Sequence, residues 1–445
     1  MDLANYFRQL FTKAKQQHWE RQRYRQLKLL AQNSHQLSIE AGTALGVQHL
    51  ILICEEFFHP DLRGYGGFGR AAKNVSDHLN KYPSGLRCAL AYPTAVTSIQ
   101  QSLCREYHGV PVVMRPYENP PSAATLGGYA SLLHDLLPRV IMSIDWHPSY
   151  EVPAHALPDT PLIIWVRDPR DRKEWEKIAA VPDELRFRGV EAPAELVALA
   201  HKKELSIKRL YALQRNIPRK IIFAVKARSL VLRAERTYGV NLSNAYYLPT
   251  PIDIPILDSI EQTERPSLLY LGRLDAVKRP WIAFELARRH PEIDFFVAGY
   301  VHNTELMETW LTQYRHLPNL KLLGHVDGEG KDRLLRSCWA LLNTSVHEAE
   351  PVSFLEALSY GKCILSCCKP DIEIADFVYY SGEIPGEGLD ESSLQRFDKQ
   401  IAYLLQDDQN RLLNGHRGRE EMIRQHSFEI FQHHFQSMLS NEGII

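Results

Sequence analysis

Apolar runs of strand length alternate with helical patterns along most of the chain. The runs are Leu50–Cys54, Cys88–Tyr92, Val140–Ile144, Leu162–Val166, Ile221–Val225, Ser267–Leu271, Ile293–Ala298, Leu320–Leu323, Trp339–Asn343 and Cys363–Ser366. Runs this apolar, with helices between them, read as parallel strands covered on both faces. Their rhythm predicts an α/β protein built of doubly wound domains.

The rhythm breaks once, at "YLPTPIDIPILDSIEQTERP", Tyr247–Pro266, which carries four prolines and no helical period. A new strand follows it. The break reads as a linker between two Rossmann-like halves. The expected division is 1–252 for the first domain, 253–425 for the second and 426–445 for a terminal helix. Two segments stand outside the alternation. Residues 1–45 form a basic helical extension of the first domain, and residues 168–220 form a charged helical insertion between two of its strands.

A length of 445 residues suits two or three domains, each large enough for its own core. The formal net charge of -1 gives no reason to expect a nucleic-acid partner. The apolar runs are far too short to span a bilayer. The first 26 residues, "MDLANYFRQLFTKAKQQHWERQRYRQ", lack the apolar core and small-residue cleavage site of a signal peptide, so a cytoplasmic protein is expected. Seven cysteines, an odd number and several in apolar runs, fit reduced core thiols. Cys363, Cys367 and Cys368 lack the second ligand cluster that a structural zinc requires.

Three stretches carry candidate chemistry. In "LLYLGRLDAVKRP" a strand ends at Gly272, Arg273 follows, and Lys278 precedes a helix opening at Pro280. Ligands of open α/β sheets bind outside the carboxyl ends of strands. An Arg fork beside a Lys point charge suits a diphosphate. Alone, the segment equally fits a solvated loop with two surface cations. In "HEAEPVSFLEALSYGKC" Pro351 reads as the first residue of a helix and Gly361 as the residue past its end. Glu348 then lies in the loop ahead of that helix and Glu356 inside it. Two carboxylates there can accept hydrogen bonds from sugar hydroxyls. The alternative is that Glu348 and Glu350 offset the helix dipole while Glu356 sits on the surface. In "RGYGGFGRAAKNVSDHL" Gly64, Gly66, Gly67 and Gly69 precede an amphipathic helix, where backbone can approach a phosphate or a sugar. The alternative is a flexible loop.

In this order the three stretches resemble the GT-B-fold retaining glycosyltransferases of family 4. "YLGRLDAVKRP" is similar to that family's diphosphate motif and "HEAEPVSFLEALSYGKCI" to its Glu-x7-Glu motif. "FFVAGY" and "NLKLLGHV" match the strands between, and "YLPTPIDI" the interdomain segment. "HSFEIFQHHF", His426–Phe435, is similar to the terminal helix that crosses back to the first domain. The likeness is looser in the first half.

The resemblance implies a GT-B fold with two Rossmann-like domains facing a cleft. It implies transfer of a sugar, with retention, from a nucleoside diphosphate sugar to a glycan, glycolipid or small-molecule acceptor. Arg273 and Lys278 would hold the diphosphate, Glu356 the ribose and Glu348 the donor sugar, with Gly66 and Gly67 against the diphosphate or the sugar. No cofactor and no metal are expected, because GT-B enzymes do not generally require one and no DxD-like site stands out. The chain departs from the pattern in three places. His147 follows Ile144, where the family often has a His, and stands either as a displaced active-site group or as a capped loop residue. Arg167 replaces a His common at the end of the next strand. Pro351 replaces a small Gly and removes one N–H donor. These departures imply an unusual donor or acceptor, or reduced activity. The competing reading is a catalytically silent GT-B protein that binds a nucleotide sugar or a protein partner. An epimerase or phosphorylase on this fold lacks support, as no pyridoxal-phosphate lysine context is present.

Leu3, Tyr6, Phe7, Leu10, Phe11 and Ala14 recur at three- and four-residue steps, with Arg8, Lys13, Lys15, Arg21, Arg23 and Arg25 around them. Trp175 and Tyr211 give the 168–220 insertion a second basic, aromatic-bearing surface. Such a helix over residues 1–30 either packs on the first domain with its cations in water or rests on anionic lipid at the inner membrane face.

Overall fold

A computed structural model of the chain describes residues 49–57, 66–81, 86–94, 103–107, 109–116, 136–185, 193–214, 219–301 and 304–445, with positions 129 and 133 besides. The expected helix over residues 1–45 and its membrane contact lie outside the described residues, as does Gly64.

Eight strands build the first sheet: β1 (Leu50–Ile53), β2 (Cys88–Thr94), β3 (Leu103–Tyr107), β4 (Val110–Pro116), β5 (Val140–Ile144), β6 (Leu162–Val166), β7 (Ile221–Val225) and β8 (Tyr246–Tyr247). Their spatial order is β3-β4-β2-β1-β5-β6-β7-β8. Six strands build the second: β9 (Ser267–Leu271), β10 (Asp294–Ala298), β11 (Leu320–Gly324), β12 (Ala340–Asn343), β13 (Cys363–Ser366) and β14 (Val378–Tyr380), in the order β11-β10-β9-β12-β13-β14. Apart from the antiparallel β3–β4 pair, the neighbouring strands run parallel. The strand order reverses beside β1 in one sheet and beside β9 in the other. These reversals open the crevices where doubly wound sheets hold ligands.

The central strands are buried as their apolar runs require. Every residue of β1, β5, β6, β12 and β13 is buried. Two features differ from the sequence expectation. Strands β3 and β4, "LCREY" and "VPVVMRP", form a hairpin at the sheet edge. Polar residues in β3 and prolines in β4 weaken the apolar run that marks a buried strand. Strand β11, expected to be covered on both faces, is largely exposed, with Leu322 and Leu323 open to solvent. It is the edge of the second sheet.

The chain returns to the first domain at its end. Helix Asp408–His426 gives way at Ser427 to helix Phe428–Asn441, and the Ser427 hydroxyl accepts from the Ile430 N–H at the new helix start. Phe431, Phe435, Met438 and Leu439 of that helix are buried in the core beneath the first sheet, beside Leu50, Met142 and Trp165. This is the terminal helix that the resemblance of His426–Phe435 led us to expect. The 168–220 segment is helical over Arg172–Ala179 and Pro193–Gln214. It presents no free basic-aromatic face there. Tyr211 packs on the first core and Trp175 lines the interdomain cleft. Among the described residues, no helix is long and apolar enough to cross a membrane. Cys54, Cys88, Cys338, Cys363, Cys367 and Cys368 are free thiols and buried.

Candidate active site

A cavity of about 780 Å³ lies between the two sheets. Residues just past the carboxyl ends of strands from both domains line it: Glu56, Asp145, Arg167 and Lys226 from the first, Gly272 and Gly299 from the second. Backbones come close at the floor of the second domain. A Cβ on Gly299 would stand 1.7 Å from the Gly272 carbonyl oxygen, so only glycine fits there.

The wall contributed by the second domain is assembled from two loops pinned together. The Thr344 hydroxyl donates to the Lys278 carbonyl at 2.8 Å, and the Val346 N–H donates to the Val277 carbonyl at 2.8 Å. Arg279 has φ +47 and is fully buried. Its guanidinium donates to the carbonyls of Thr344, Ser345, Ile384 and Gly386. This arginine is a structural clamp behind the site. The loops so held bring Lys278 Nζ to 2.5 Å from Glu348 Oε1, which also accepts from Ser345 Oγ at 2.6 Å and Asn343 Nδ2 at 3.0 Å. Burial pushes the Glu348 carboxyl up, but Lys278 and these donors outweigh it and hold it below the usual carboxylate range. Arg273 Nε lies 3.2 Å from Asp275 Oδ2. Asp275, with Glu56 and Glu348 adding to it, raises the Arg273 guanidinium and keeps it charged.

Glu356 lies within the helix Val352–Ser359, as the spacing predicts, while Pro351 is the cap before it with extended backbone rather than its first residue. Gly361, at φ +70, ends that helix as expected. Lys331 donates to Glu356 Oε1 at 2.8 Å, and Arg70 Nε stands 3.9 Å from the same oxygen. Arg70 belongs to the helix Gly67–Lys81 of the first domain and also donates to Asp327 Oδ1 at 2.6 Å. The helix following the glycine stretch therefore faces the Glu356 end of the cleft. Its N-terminus already holds an anion. Glu56 Oε2 accepts from the Gly69 N–H at 3.2 Å, and a Cβ on Gly66 would meet that oxygen at 2.1 Å. Around Gly67 the space is open.

The wall contributed by the first domain is crowded with charge. Asp145, at φ +61 and buried, accepts from Tyr238 Oη at 2.5 Å and from Lys203 Nζ at 3.2 Å. Two residues on, His147 accepts from the Ser149 N–H at 3.3 Å and caps the short helix Pro148–Tyr150. Burial, with Lys203 beside it, pushes the ring down to about 4, so it is neutral at physiological pH. His147 is thus both a capped loop residue and part of the cavity wall. Lys226 Nζ donates to the Glu350 carbonyl at 2.8 Å. Glu350, at φ +48, is buried, with Oε2 lacking a partner among the described residues. It does not act as a solvated charge ahead of the helix. Burial pushes its carboxyl up and pushes the Lys226 ammonium down.

His347 straps the two domains together. Its Nδ1 lies 2.5 Å from Glu174 Oε2 and its Nε2 2.7 Å from Asp168 Oδ1. Burial pushes the ring down, but the two carboxylates outweigh it and hold its pKa above the ordinary 6.5. Against burial, Arg170 and then His347 hold Asp168 well below its ordinary 3.8, and His347 brings Glu174 to about 2. The raised histidine stabilises the folded state fully below pH 6.5, and that contribution is lost as pH rises through the folded value. The depressed carboxylates contribute above their unfolded values of 3.8 and 4.5, and lose it as pH falls through the folded ones. His347→Gln is therefore expected to destabilise the protein by about 1.5–3 kcal/mol near pH 5.5, the scale of a hydrogen bond to a charged group. The penalty should shrink as pH climbs past the folded histidine value. Urea unfolding of both proteins across pH reads it, and a penalty independent of pH would remove the ion-pair account.

The structure brings Arg273, Lys278, Glu348, Glu356, Gly66, Gly67 and His147 around one cavity. Sequence reasoning missed Glu56, Lys331, Asp145 and Lys226. Each of the last two follows an apolar strand directly, and that placement is the one signal that pointed to them. Among the described residues, no group of three or more His, Cys, Asp or Glu side chains is arranged to hold a metal ion.

Residues 257–420 match the family model of the glycosyl transferases group 1. No curated protein matches the chain. Among solved structures, HepE of Anabaena in complex with UDP-glucose aligns with a TM-score of 0.60 at 13% identity, over 88% of this chain and 99% of that one. Sucrose-phosphate synthase of Thermosynechococcus elongatus aligns with a TM-score of 0.63 at 11% identity, over 88% and 98%. A variant of S. aureus TarM, in complex with fondaparinux, alpha-GlcNAc-glycerol and UDP, aligns with a TM-score of 0.58 at 10% identity, over 88% and 99%. At these identities the likeness establishes the GT-B fold: two Rossmann-like domains of parallel sheet with a C-terminal helix.

Proposed function

We propose that the protein is a glycosyltransferase that moves a sugar from a nucleoside diphosphate sugar to an acceptor hydroxyl, with retention of configuration and without a metal ion. The observation that carries this reading is the cluster of Arg273, Lys278 and Glu348 at the carboxyl ends of the second sheet, inside the segment matched by the family model. HepE was solved with UDP-glucose and the TarM variant with UDP, and the shared fold supports a donor of that class.

In this reading Arg273 and Lys278 take up the negative charge that grows on the diphosphate as the bond from the sugar's anomeric carbon breaks. Glu348 sits beside the sugar and offsets its developing positive charge. Glu356 accepts from the nucleoside ribose, with Lys331 moving aside or sharing it. The acceptor hydroxyl bonds to the anomeric carbon on the face the diphosphate leaves, and its proton passes to the departing phosphate oxygen. The neutral His147 ring lies on the acceptor's side of the cleft. Gly66 and Gly67 come against the donor once the Glu56 carboxylate turns away from the helix N-terminus, since two anions cannot share it.

Calorimetry with UDP tests the donor site. Arg273→Ala is expected to weaken UDP binding by about tenfold or more, since a charge-assisted contact is worth roughly 1.5–3 kcal/mol. Equal affinity in parent and variant would remove Arg273 from the donor site. Transfer from a panel of radiolabelled nucleotide sugars then separates an enzyme from a silent binder.

A further inference from the structure

We propose that the first-domain wall of the cleft is a subsite for an anionic group, a phosphate or a carboxylate, carried by the sugar acceptor and held by Arg167. The inference rests on the glycosyl-transfer reading and names the chemical class of its acceptor.

Arg167 follows β6 at its carboxyl end and lines the cavity, yet it is only 1% exposed. Its Nε and Nη1 have no hydrogen-bond partner among the described residues. The guanidinium carbon lies 4.4 Å from the Trp165 ring centroid, a cation–π contact that accepts no hydrogen bond from those atoms. Every other cation named on this wall is engaged. Arg170 donates to Asp168 at 2.6 Å, Lys203 to Asp145 at 3.2 Å, Arg209 to Glu151, and Lys226 to the Glu350 carbonyl at 2.8 Å. Glu350 is the acid that acts on Arg167 most strongly, but it forms no ion pair with it, and its own Oε2 is also without a partner.

A buried guanidinium left without an acceptor is costly, and burial pushes its pKa down to about 10. Buried, unpaired donors of this kind are satisfied by a ligand that brings its own anionic oxygens, and arginine is the side chain best matched to carboxylate and phosphate. The donor's diphosphate has its cations, Arg273 and Lys278, on the opposite wall. Arg167 stands with Asp145 and His147 on the wall from which an acceptor enters. A neutral sugar could offer hydroxyl oxygens to the two N–H groups but no charge to offset the buried guanidinium, so the site favours an anion.

Thermal unfolding of the full chain with saturating UDP, at constant ionic strength, tests this with inorganic phosphate, glucose 6-phosphate, glucuronate and glucose as probes. The anionic probes are expected to raise Tm and glucose to leave it unchanged. Phosphate with glucose 6-phosphate marks a phosphorylated acceptor, and glucuronate alone marks a carboxylated one. In Arg167→Gln the affinity for the anionic probe should fall at least about tenfold, as for a lost charge-assisted contact. Arg167→Lys should keep part of a phosphate response, and UDP's own shift should be the same in all three proteins. The proposal is overturned if no anionic probe shifts the parent, or if the shift survives Arg167→Gln. It is equally overturned if Arg167→Gln weakens UDP binding instead, which would move the residue to the donor site. A parent that does not respond to UDP at all sinks the glycosyl-transfer reading on a separate arm, since the phosphate response can still be read without it.

Discussion

Lys278→Ala is expected to lower kcat for sugar transfer by about 10²–10³-fold, the usual loss when one preorganised charge donor to a developing anion is removed. Donor affinity should fall much less. The reason lies in how Lys278 is held. Its ammonium is 2.5 Å from Glu348 Oε1, and its carbonyl is tied to Thr344, so the charge is aimed before any donor binds. It gains most when the diphosphate takes on charge in the transition state, and interactions realised there act on kcat rather than KM. A second loss follows from the first. With Lys278 gone, burial acts on Glu348 with only Ser345 and Asn343 to oppose it, and the carboxyl pKa moves up from its present low position. Residual activity of the variant should therefore decline as pH falls through the acid range where the parent still holds a plateau. Steady-state kinetics across pH on folded variant protein measures both effects. A variant within a few-fold of the parent would leave Lys278 a surface cation, the bland alternative that its loop position allows.

The strands around the site were legible because burial on both faces writes itself into the sequence as unbroken apolar runs. β5, β6, β7, β9 and β13 begin and end where those runs do. The same signal fails at edges. In β3, "LCREY" has one open flank and no need of an apolar run, and in β4 prolines interrupt one. In β11 an apolar run is real but largely in solvent. The candidate residues were legible where they sit beside a local pattern: Arg273, Lys278 and Glu348 flank a strand or helix signal, and Glu356 lies inside a helix that the spacing predicts. The site was not legible where topology alone makes the contact. Lys278 and Glu348 stand 70 positions apart, and parallel β9 and β12 bring their loops together. Arg279, one residue from Lys278, looks the same in sequence but is a buried clamp. Glu56 sits where the helix after the glycines would receive an anion, a role that only the fold assigns. Local pattern says that a cation lies on a loop; only the tertiary fold says what it faces.

Glu348→Gln should lower kcat by about 10²-fold while leaving the donor KM within a few-fold, because removing a charge that opposes the sugar's developing positive charge acts only in the transition state. The substitution conserves volume, so the loop should stay in place: the Gln carbonyl can still accept from Ser345 and Asn343, which now reach Glu348 Oε1 at 2.6 and 3.0 Å. What it removes is the partner of Lys278. The ammonium then has no carboxylate at 2.5 Å and is free to turn toward the diphosphate or away from it. Residues that act as one unit are not additive. The double variant Lys278→Ala, Glu348→Gln should therefore lose little more rate than Lys278→Ala alone, since each single change already dismantles the pair. Two independent surface charges would instead multiply their losses. Double-mutant kinetics with one donor and one acceptor distinguishes the cases, and multiplicative losses would show that Glu348 and Lys278 serve the reaction separately, the ion pair between them being incidental.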